Sequence, residues 1–343
     1  MENQDTTEFN ADAAFDEAAN HFESGGLTAE VKPSVADETK QPAPDQRMED
    51  TTQEFLPKCS KLSDDEMIRI VTACARLGIK KVRLTGGEPL VRPGIVELIK
   101  RIHDIDGIEE IYLTTNGTVL SDQVKTLAHH GLKGVNISLD SLKADRFHQI
   151  TRRGILANVL KFIDECLAYG LKVKLNTVLV DEVNQDEILD FVRLTLEKPI
   201  DVRFIELMPI GVGKVHKGVT NEEVLQTICS SYSDVVEVGK ADKGGPATYV
   251  CVNQGPGKVG FISAVSNCFC ESCNRIRVSA DGFLKQCLHF KFGVSLKDLI
   301  RAGITDEALQ HVIYEQIYHK PEKHLFNQEN IDEEVKFMNQ IGG

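Results

Sequence analysis

The stretch that decides the fold is KVRLTGGEP, Lys81–Pro89. Its alternating apolar and polar residues are typical of a strand, and the Gly-Gly pair predicts a sharp turn at the strand's carboxyl end. A capping box at Ser63–Glu66 opens a helix before it, and apolar residues recur at helical spacing until Gly78. A helix followed by a strand and a tight turn is the repeating unit of an α/β fold.

The same unit recurs further along the chain. Strands are predicted over 111–115, 135–140, 172–180 and 202–208, and helices over 94–103, 122–130, 156–169 and 186–197. Such alternation requires parallel strands joined by right-handed crossovers. Polar residues crowd the predicted strand ends, so we expect a site at the carboxyl face of a full or partial TIM-like barrel.

The composition divides the 343 residues into three parts. Residues 1–55 are predicted to be a disordered acidic tail, because they hold few large apolar side chains and residues 1–50 carry −10 of the formal charge of −13. Residues 56–209 carry the helix–strand alternation of the expected barrel. Residues 210–343 change to Gly-rich segments and short strands over 248–252 and 259–263, which indicates a smaller carboxyl-terminal lobe.

Cysteine usage and hydropathy bound the location of the protein. Its nine cysteines follow no paired framework, and neither a signal peptide nor an apolar run long enough to span a bilayer occurs. We therefore expect a soluble intracellular protein in a reducing compartment, without membrane or nucleic-acid partners. The acidic first residues are unlike a mitochondrial transit peptide.

A second chemical signal is NCFCESCNRIRVSADGFLKQCLH, Asn267–His289, which we call the cysteine segment. Cys270 and Cys273 stand at Cys-x2-Cys spacing and Cys287 follows, so three thiolates can converge on one metal centre. An iron–sulfur cluster held by three cysteines would leave one iron open to a ligand from a substrate. This arrangement predicts a metal site that can also bind a small molecule.

Two other interpretations of these cysteines stay open. Zinc could complete four-coordination with Cys268 or His289, and the cysteines could also be small buried side chains without a metal. Arg275 and Arg277 favour a ligand site, because on an extended strand both guanidiniums point to one face, where they suit phosphate or a purine edge.

Several strand-end motifs give the sequence a resemblance to a known family. Thr114–Gly117, Ser138–Asp140, Lys174–Asn176 and Glu206–Pro209 lie on or after successive predicted strands. With the Gly-Gly-Glu-Pro turn and the cysteine segment, they make residues 61–343 similar to the radical S-adenosylmethionine enzymes of molybdenum cofactor biosynthesis. This is the GTP 3′,8-cyclase family, also called the molybdenum cofactor biosynthesis protein A family.

The resemblance implies an activity and a set of site residues. Family members carry two four-iron clusters on a partial (β/α)6 barrel and convert GTP to (8S)-3′,8-cyclo-7,8-dihydroguanosine 5′-triphosphate. By that match the cluster that binds guanine is held by Cys270, Cys273 and Cys287. The implied GTP contacts are Arg83, Thr114, Lys174, Arg275, Ile276 and Arg277. The implied S-adenosylmethionine contacts are Gly87, Ser138 and Met208.

Some of these assignments have plainer alternatives. Met208 could belong to the core, and Lys174 could be a solvated charge at a strand end. Gly342 and Gly343 end the chain, and the resemblance implies that they reach into the active site, whereas a Gly-Gly end alone is typical of fraying.

The sequence departs from the family in one motif. The superfamily's Cys-x3-Cys-x2-Cys, which holds the cluster that cleaves S-adenosylmethionine, is absent, and Cys59 is the only cysteine before Cys74. We therefore expect one [4Fe-4S] cluster instead of two, no radical formation by this chain alone, and an exposed edge at the strand that begins at Lys81. A non-catalytic binder of GTP and one cluster, acting as a partner or regulator, is the alternative function.

The resemblance also implies partners and a compartment. GTP is the expected substrate, and association with a second copy or with the cyclic pyranopterin monophosphate synthase that acts next is expected. Family members work in the mitochondrial matrix of eukaryotes and in the bacterial cytoplasm.

Overall fold

The computed structural model describes residues 61–118, 123–209, 213–240, 245–267, 269–270, 273–288, 290 and 292–321, and the backbone alone at 211–212. All of them belong to one compact unit, Phe55–Gly343. The predicted acidic tail and the terminal Gly-Gly pair lie outside the described residues, as do Cys268 and His289.

Five parallel strands form the first part of the main sheet in chain order, and they confirm the predicted alternation of helix and strand. They are β1 (Lys81–Leu84), β2 (Glu110–Thr115), β3 (Leu132–Ser138), β4 (Lys172–Val178) and β5 (Ile200–Ile205). Their buried faces are rich in Val, Ile and Leu, as is typical of parallel strands covered by helices.

The connecting helices cover these strands. They are α1 (Asp64–Arg76), α2 (Ile95–His103), α3 (Val124–His129), α4 (Ala144–Thr151), α5 (Leu156–Ala168) and α6 (Ile188–Glu197). Helix α1 begins with the predicted capping box: Ser63 Oγ accepts from the Glu66 N–H at 3.1 Å, and the Glu66 carboxylate accepts from the Ser63 N–H at 2.7 Å. Helix α4 was not predicted.

The strands assigned from sequence to a smaller lobe extend the main sheet. Strand β8 (Lys258–Ile262) pairs in parallel with β5, and β7 (Thr248–Val252) and β6 (Val235–Lys240) follow antiparallel, giving the order β1-β2-β3-β4-β5-β8-β7-β6. Neither β6 nor the preceding α7 (Asn221–Ser231) was predicted, although Thr220 and Glu223 form a capping box that marks where this helix begins.

The first strand lies at an edge, as predicted. Within the described part of the chain β1 pairs with β2 alone, and the sheet is open between β1 and β6. Of the two predicted alternatives, a full or a partial barrel, the described strands form the partial one. A salt bridge of 2.8 Å joins Lys81 on β1 to Glu110 on β2.

A smaller assembly carries the cysteine segment. It consists of the short antiparallel strands β9 (Arg277–Val278), β10 (Phe283–Lys285) and β11 (Gly293–Ser295), followed by α8 (Leu296–Arg301) and α9 (Asp306–Tyr318). Leu284, Leu296, Leu309 and Ile313 pack with Ile70 of α1 in a second apolar core. Helix α1 therefore connects the main sheet to the elements around the cysteines.

Candidate functional site

Two rows of polar side chains cross one face of the main sheet. The strand register places Thr114, Asn136, Lys174 and Asp201 opposite one another in the first row. Ser138, Asn176, Arg203 and Gly260 form the second row, two residues further along each strand. Because residues paired in register, and residues two apart on one strand, share a face, all of these positions line the same surface. We call them the polar rows.

Arg203 is the most buried cation of the polar rows, with 6% of its surface exposed. Its Nη2 donates to Asn136 Oδ1 at 2.7 Å, while its Nε is buried without a partner among the described residues. Burial lowers the pKa of Arg203, and Arg275 adds to this, while Tyr249 and Asp201 oppose it. A buried guanidinium with an unused donor is suited to an anionic ligand.

Arg203 was missed by the sequence analysis, although it lies on the predicted fifth strand. A neighbouring glycine makes room for it, because a Cβ at Gly260 would lie 3.0 Å from Arg203 Cγ and 2.8 Å from a ring carbon of Tyr249. An arginine inside a run of apolar strand residues is the signal that could have identified it, since a buried strand rarely holds an unpaired charge.

Arg83 lies within electrostatic reach of Arg203 and also of Arg275 and Arg277. Arg83 keeps exposed surface, yet partial burial in the cleft lowers the pKa of its guanidinium to about 10, and the like charges of Arg203, Arg275 and Arg277 act in the same direction. Burial also lowers the pKa of Arg277 to about 10, with Arg275 contributing. The predicted arginines are therefore close enough to repel one another.

Lys174 joins this group of cations. Burial and the charge of Arg203 lower its pKa, and Asp201, 3.5 Å from Lys174 Nζ, opposes the shift. The ammonium also lies 5.7 Å from the ring centre of Tyr249. Its half-buried position beside other cations differs from that of a solvated charge at a strand end. We call Arg83, Lys174, Arg203, Arg275 and Arg277 the cationic group.

The cysteine segment borders the cationic group. Negative charge on the sulfurs of Cys273 and Cys287 raises the pKa of Arg277, so both sulfurs lie within electrostatic reach of its guanidinium. Cys270, Cys273 and Cys287 are all half-buried, and the Cys273 N–H donates to the Cys270 carbonyl at 3.0 Å. The guanidinium of Arg275 lies 5.0 Å from the ring centre of Phe269.

Cys273 has the surroundings of a thiolate. Burial alone would raise the pKa of its thiol, but the Arg275 N–H, the Arg275 charge and Lys320 lower it below the usual value. By contrast, burial raises the pKa of the thiols of Cys74 and Cys166 to about 12. Since metal ligation requires the deprotonated sulfur, the environment of Cys273 is suited to ligation and that of the two core cysteines is not.

Among the described residues, no group of three or more His, Cys, Asp or Glu side chains is placed to hold a metal ion. The three cysteines therefore stay a predicted ligand set. In a four-iron cluster each cysteine binds a different iron, so the sulfurs need not meet at one point. The alternative zinc ligands Cys268 and His289 lie outside the described residues.

The Gly-Gly-Glu-Pro turn is held by Glu88. Its carboxylate accepts from Thr115 Oγ1 at 2.7 Å, the Asn116 N–H at 2.8 Å and the Leu90 N–H at 3.0 Å. A Cβ at Gly87 would meet no atom within 4 Å, so open space lies beside this turn. That space leaves room for a ligand beside the backbone, so the predicted contact at Gly87 stays a prediction.

The remaining predicted contacts occupy the same end of the sheet. Thr114 is half-buried in the first polar row, Ser138 is exposed at the end of the second, and Met208 is half-buried beyond β5. The Asn176 Oδ1 atom beside Ser138 is buried without a partner among the described residues. Ile276 is half-buried and packs its side chain against the second core.

Glu206 fixes the chain that leads into the cysteine segment. Its carboxylate accepts from the backbone N–H groups of Val265 and Ser266 at 2.9 Å each, and from Ser266 Oγ at 2.5 Å. It is 4% exposed. The sequence places Glu206 at the end of the fifth predicted strand but indicates no role for it, because its partners are about sixty residues away.

The fold and sequence match known proteins over most of the chain. Residues 44–195 match the Radical SAM superfamily, and residues 200–326 match Molybdenum Cofactor Synthesis C. A structure titled "Crystal structure of Streptococcus suis SuiB bound to precursor peptide SuiA" matches with a TM-score of 0.52 at 16% identity, covering 76% of this chain and 58% of that chain. These matches define a protein with the radical S-adenosylmethionine fold.

Relatives of higher identity specify the family. The GTP 3′,8-cyclase of Clostridium perfringens strain 13 is 55% identical over 297 residues, which cover 86% of this chain and 92% of the relative. The GTP 3′,8-cyclase of Alkaliphilus oremlandii is 46% identical over 287 residues, which cover 82% of this chain and 87% of the relative. The chain belongs to the GTP 3′,8-cyclase family of molybdenum cofactor biosynthesis, as the resemblance implied. None of the helices that the structure describes is long and apolar enough to cross a membrane.

Proposed function

We propose that the chain binds GTP across the polar rows, with the triphosphate on the cationic group and the guanine directed toward the cysteine segment. The observation that carries this proposal is the convergence of the cationic group, in which burial lowers the pKa of Arg83 and Arg277 to about 10 each and repulsion from neighbouring arginines adds to the shift. A triphosphate would offset that repulsion and supply acceptors for the guanidinium donors. Thr114 in the first row and the backbone of Ile276 would add polar contacts.

The residues fit the cluster that the family implies. Cys270, Cys273 and Cys287 would hold one [4Fe-4S] cluster, and the thiolate-favouring surroundings of Cys273 support this ligand set. When bound, the cluster would supply an iron with an open coordination position for the base. Arg277, beside two of the sulfurs, would hold the nucleotide next to that position. Holding and orienting the substrate is the contribution of the protein itself.

S-adenosylmethionine would lie nearer the Gly-Gly-Glu-Pro turn. The open space beside Gly87 and the unpaired Asn176 Oδ1 next to Ser138 support a ligand there, and Met208 would contact an adenine ring. The reaction of the family then requires a second cluster to cleave this cofactor. The sequence has no Cys-x3-Cys-x2-Cys motif for it, so we expect no radical formation by this chain alone.

The experiment is an anaerobic incubation of the reconstituted protein with S-adenosylmethionine, dithionite and GTP. We expect GTP to bind without formation of 5′-deoxyadenosine. Formation of 5′-deoxyadenosine and of the cyclised nucleotide would overturn the expectation of inactivity and leave the GTP site intact. No measurable GTP binding by the iron-loaded protein would overturn the proposal itself.

The proposal extends to partners and location. An added strand could pair with the edge of β1 that none of the described strands occupies, so we propose that this edge binds a second chain, either another copy or the synthase that acts next. Size measurement with and without the synthase tests this, and a monomer in both cases would contradict it. The reported relatives are bacterial, which favours the bacterial cytoplasm over the mitochondrial matrix.

A further inference from the structure

Lys320 makes three hydrogen bonds into the cysteine segment. Its Nζ donates to the Cys273 carbonyl at 2.7 Å, to the Arg275 carbonyl at 2.8 Å and to Cys273 Sγ at 3.1 Å. A lysine ammonium has three N–H donors, so these contacts account for all of them. Two of the three bonds hold the backbone that positions the sulfur, and the third bonds the sulfur directly.

The lysine is held by a different part of the fold from the cysteines. It follows α9 directly, and its N–H donates to the Ile317 carbonyl at 3.3 Å. Leu309 and Ile313 anchor α9 in the second core against α1. The position of Cys273 Sγ is therefore tied to a packed helix, while the surrounding segment has little regular structure of its own.

We propose that Lys320 is a positioning residue for the iron–sulfur cluster, fixing Cys273 Sγ as a ligand and raising the cluster's reduction potential through its N–H···S bond. This inference rests on the proposed function, because it requires Cys273 to be a cluster ligand. Hydrogen bonds to the ligating sulfurs and groups outside the ligand set tune both the affinity for metal and the potential. A cation next to a thiolate stabilises the more negative, reduced cluster.

The test compares Lys320→Met and Lys320→Arg with Lys125→Met as a matched control, since Lys125 is an exposed lysine on α3. In the full-length, iron-loaded protein, Lys320→Met should lose iron to a chelator about tenfold faster, as expected for loss of one charge-assisted hydrogen bond. Its reduction potential should shift to a more negative value. Lys320→Arg should fall between Lys320→Met and the wild type in both measurements, and Lys125→Met should match the wild type.

The outcomes separate this inference from the proposed function. A wild-type protein that binds no cluster would contradict the three-cysteine site. A wild-type protein with a cluster whose potential and iron loss are the same in Lys320→Met would overturn the role of Lys320 alone. Faster iron loss at an unchanged potential would also overturn the proposed bond to the sulfur, because a purely structural role predicts that result.

A measurement on the wild-type chain covers the case in which Lys320→Met does not fold. Protein labelled with 15N-lysine should show a 15N hyperfine coupling to the reduced, paramagnetic cluster in pulsed electron paramagnetic resonance. Lys320→Arg, which keeps the charge, should abolish that coupling. Absence of a coupling in the wild type, or its persistence in Lys320→Arg, would contradict the bond between Lys320 and the ligating sulfur.

Discussion

The cationic side chains on the strands and the thiols of the cysteine segment are positioned by different means. Lys174 and Arg203 are placed by the register of hydrogen-bonded parallel strands, and their neighbours in the polar rows follow from that register. Cys270, Cys273 and Cys287 lie outside the described strands, and Glu206 and Lys320 supply the anchoring hydrogen bonds of this segment. The strand positions are built into the sheet, whereas the thiol positions depend on a few side-chain contacts.

This difference predicts which half of the site should keep its geometry when the other half is mutated. A sheet position moves only if the whole ladder shifts, so the binding of phosphate should persist when the cysteine segment is altered. The cysteine segment is held by individual hydrogen bonds, so a bound ligand should order it further. A ligand that binds only the folded arrangement stabilises that arrangement. Four changes, from the largest expected effect to the smallest, test this comparison.

Removal of the three thiols should have the largest effect. The variant with Cys270, Cys273 and Cys287 all changed to Ala is expected to lose all cluster iron, about one four-iron cluster per chain in the wild type. Iron analysis and the visible absorption of the reconstituted proteins measure this. Cys229→Ala, at an exposed cysteine of α7, is the control and should retain the iron.

The same triple variant sharpens the comparison when GTP is titrated. If the strands hold the triphosphate independently, the variant should still bind GTP more tightly than guanosine. Equal affinity for GTP and guanosine would show that the cationic group is not preorganised by the sheet.

Loss of one guanidinium from the cationic group should have the next largest effect. Arg83→Ala removes charge-assisted hydrogen bonds to the triphosphate and is expected to weaken GTP binding about 10- to 100-fold. Calorimetric titration at fixed salt measures this, with Arg193→Ala on the exposed side of α6 as the control. Retained cluster iron in Arg83→Ala would show that the two halves of the site are separable.

Asp140 follows the end of β3 and is expected to make the strand ends sensitive to rising pH. Burial raises the pKa of its carboxyl to about 6, from 3.8, although the Val178 N–H donates to it at 2.8 Å. The folded state therefore binds this proton more tightly than the unfolded state, and stability falls as the pH rises from about 4 to about 6. Asp140→Asn, whose amide oxygen can still accept from Val178, should be more stable than the wild type at pH 7 by about 1 to 3 kcal/mol.

Denaturant unfolding of both proteins at several pH values measures this difference. The difference in the free energy of unfolding between Asp140→Asn and the wild type should shrink toward zero near pH 4. A gap that does not change with pH would mean that Asp140 ionises in the folded protein as it does in the unfolded chain.

The sequence predicted the strand side of the site more completely than the cysteine side. Period-two runs and Gly-Gly turns are local signals, and the strand from Lys81 and its turn appear in the structure as predicted. Glu206 and Lys320 bond to residues that are 59 and 47 positions away in the sequence. No local sequence pattern can predict such contacts. The pairing of β8 with β5 is missed for the same reason, because short strands after a Gly-rich stretch do not reveal which sheet they join.

The ion pair between Glu66 of α1 and Arg301 of α8 joins α1 to the cysteine-bearing assembly. Its loss should have the smallest effect on stability, with a pH dependence opposite to that of Asp140. Arg301 Nε donates to Glu66 Oε1 at 2.7 Å, and this bond is the main reason that the pKa of Glu66 lies below its usual value. A carboxyl with a lowered folded-state pKa stabilises the protein above its unfolded pKa near 4.5, and this contribution is lost as the pH falls through the folded value.

Glu66→Gln keeps the capping box and removes only the charge, so it should cost about 0.2 to 1 kcal/mol at pH 7, as for a partly exposed ion pair. The loss should shrink as the pH falls below about 4.5 and should vanish once the pH is below the lowered folded-state pKa of Glu66. Unfolding curves in 0.05 and 0.5 M salt check the assignment, because salt should shrink the Glu66 effect more than the Asp140 effect. A cost that is unaffected by both pH and salt would show that packing of α1, not this charge, holds the cysteine-bearing assembly to the sheet.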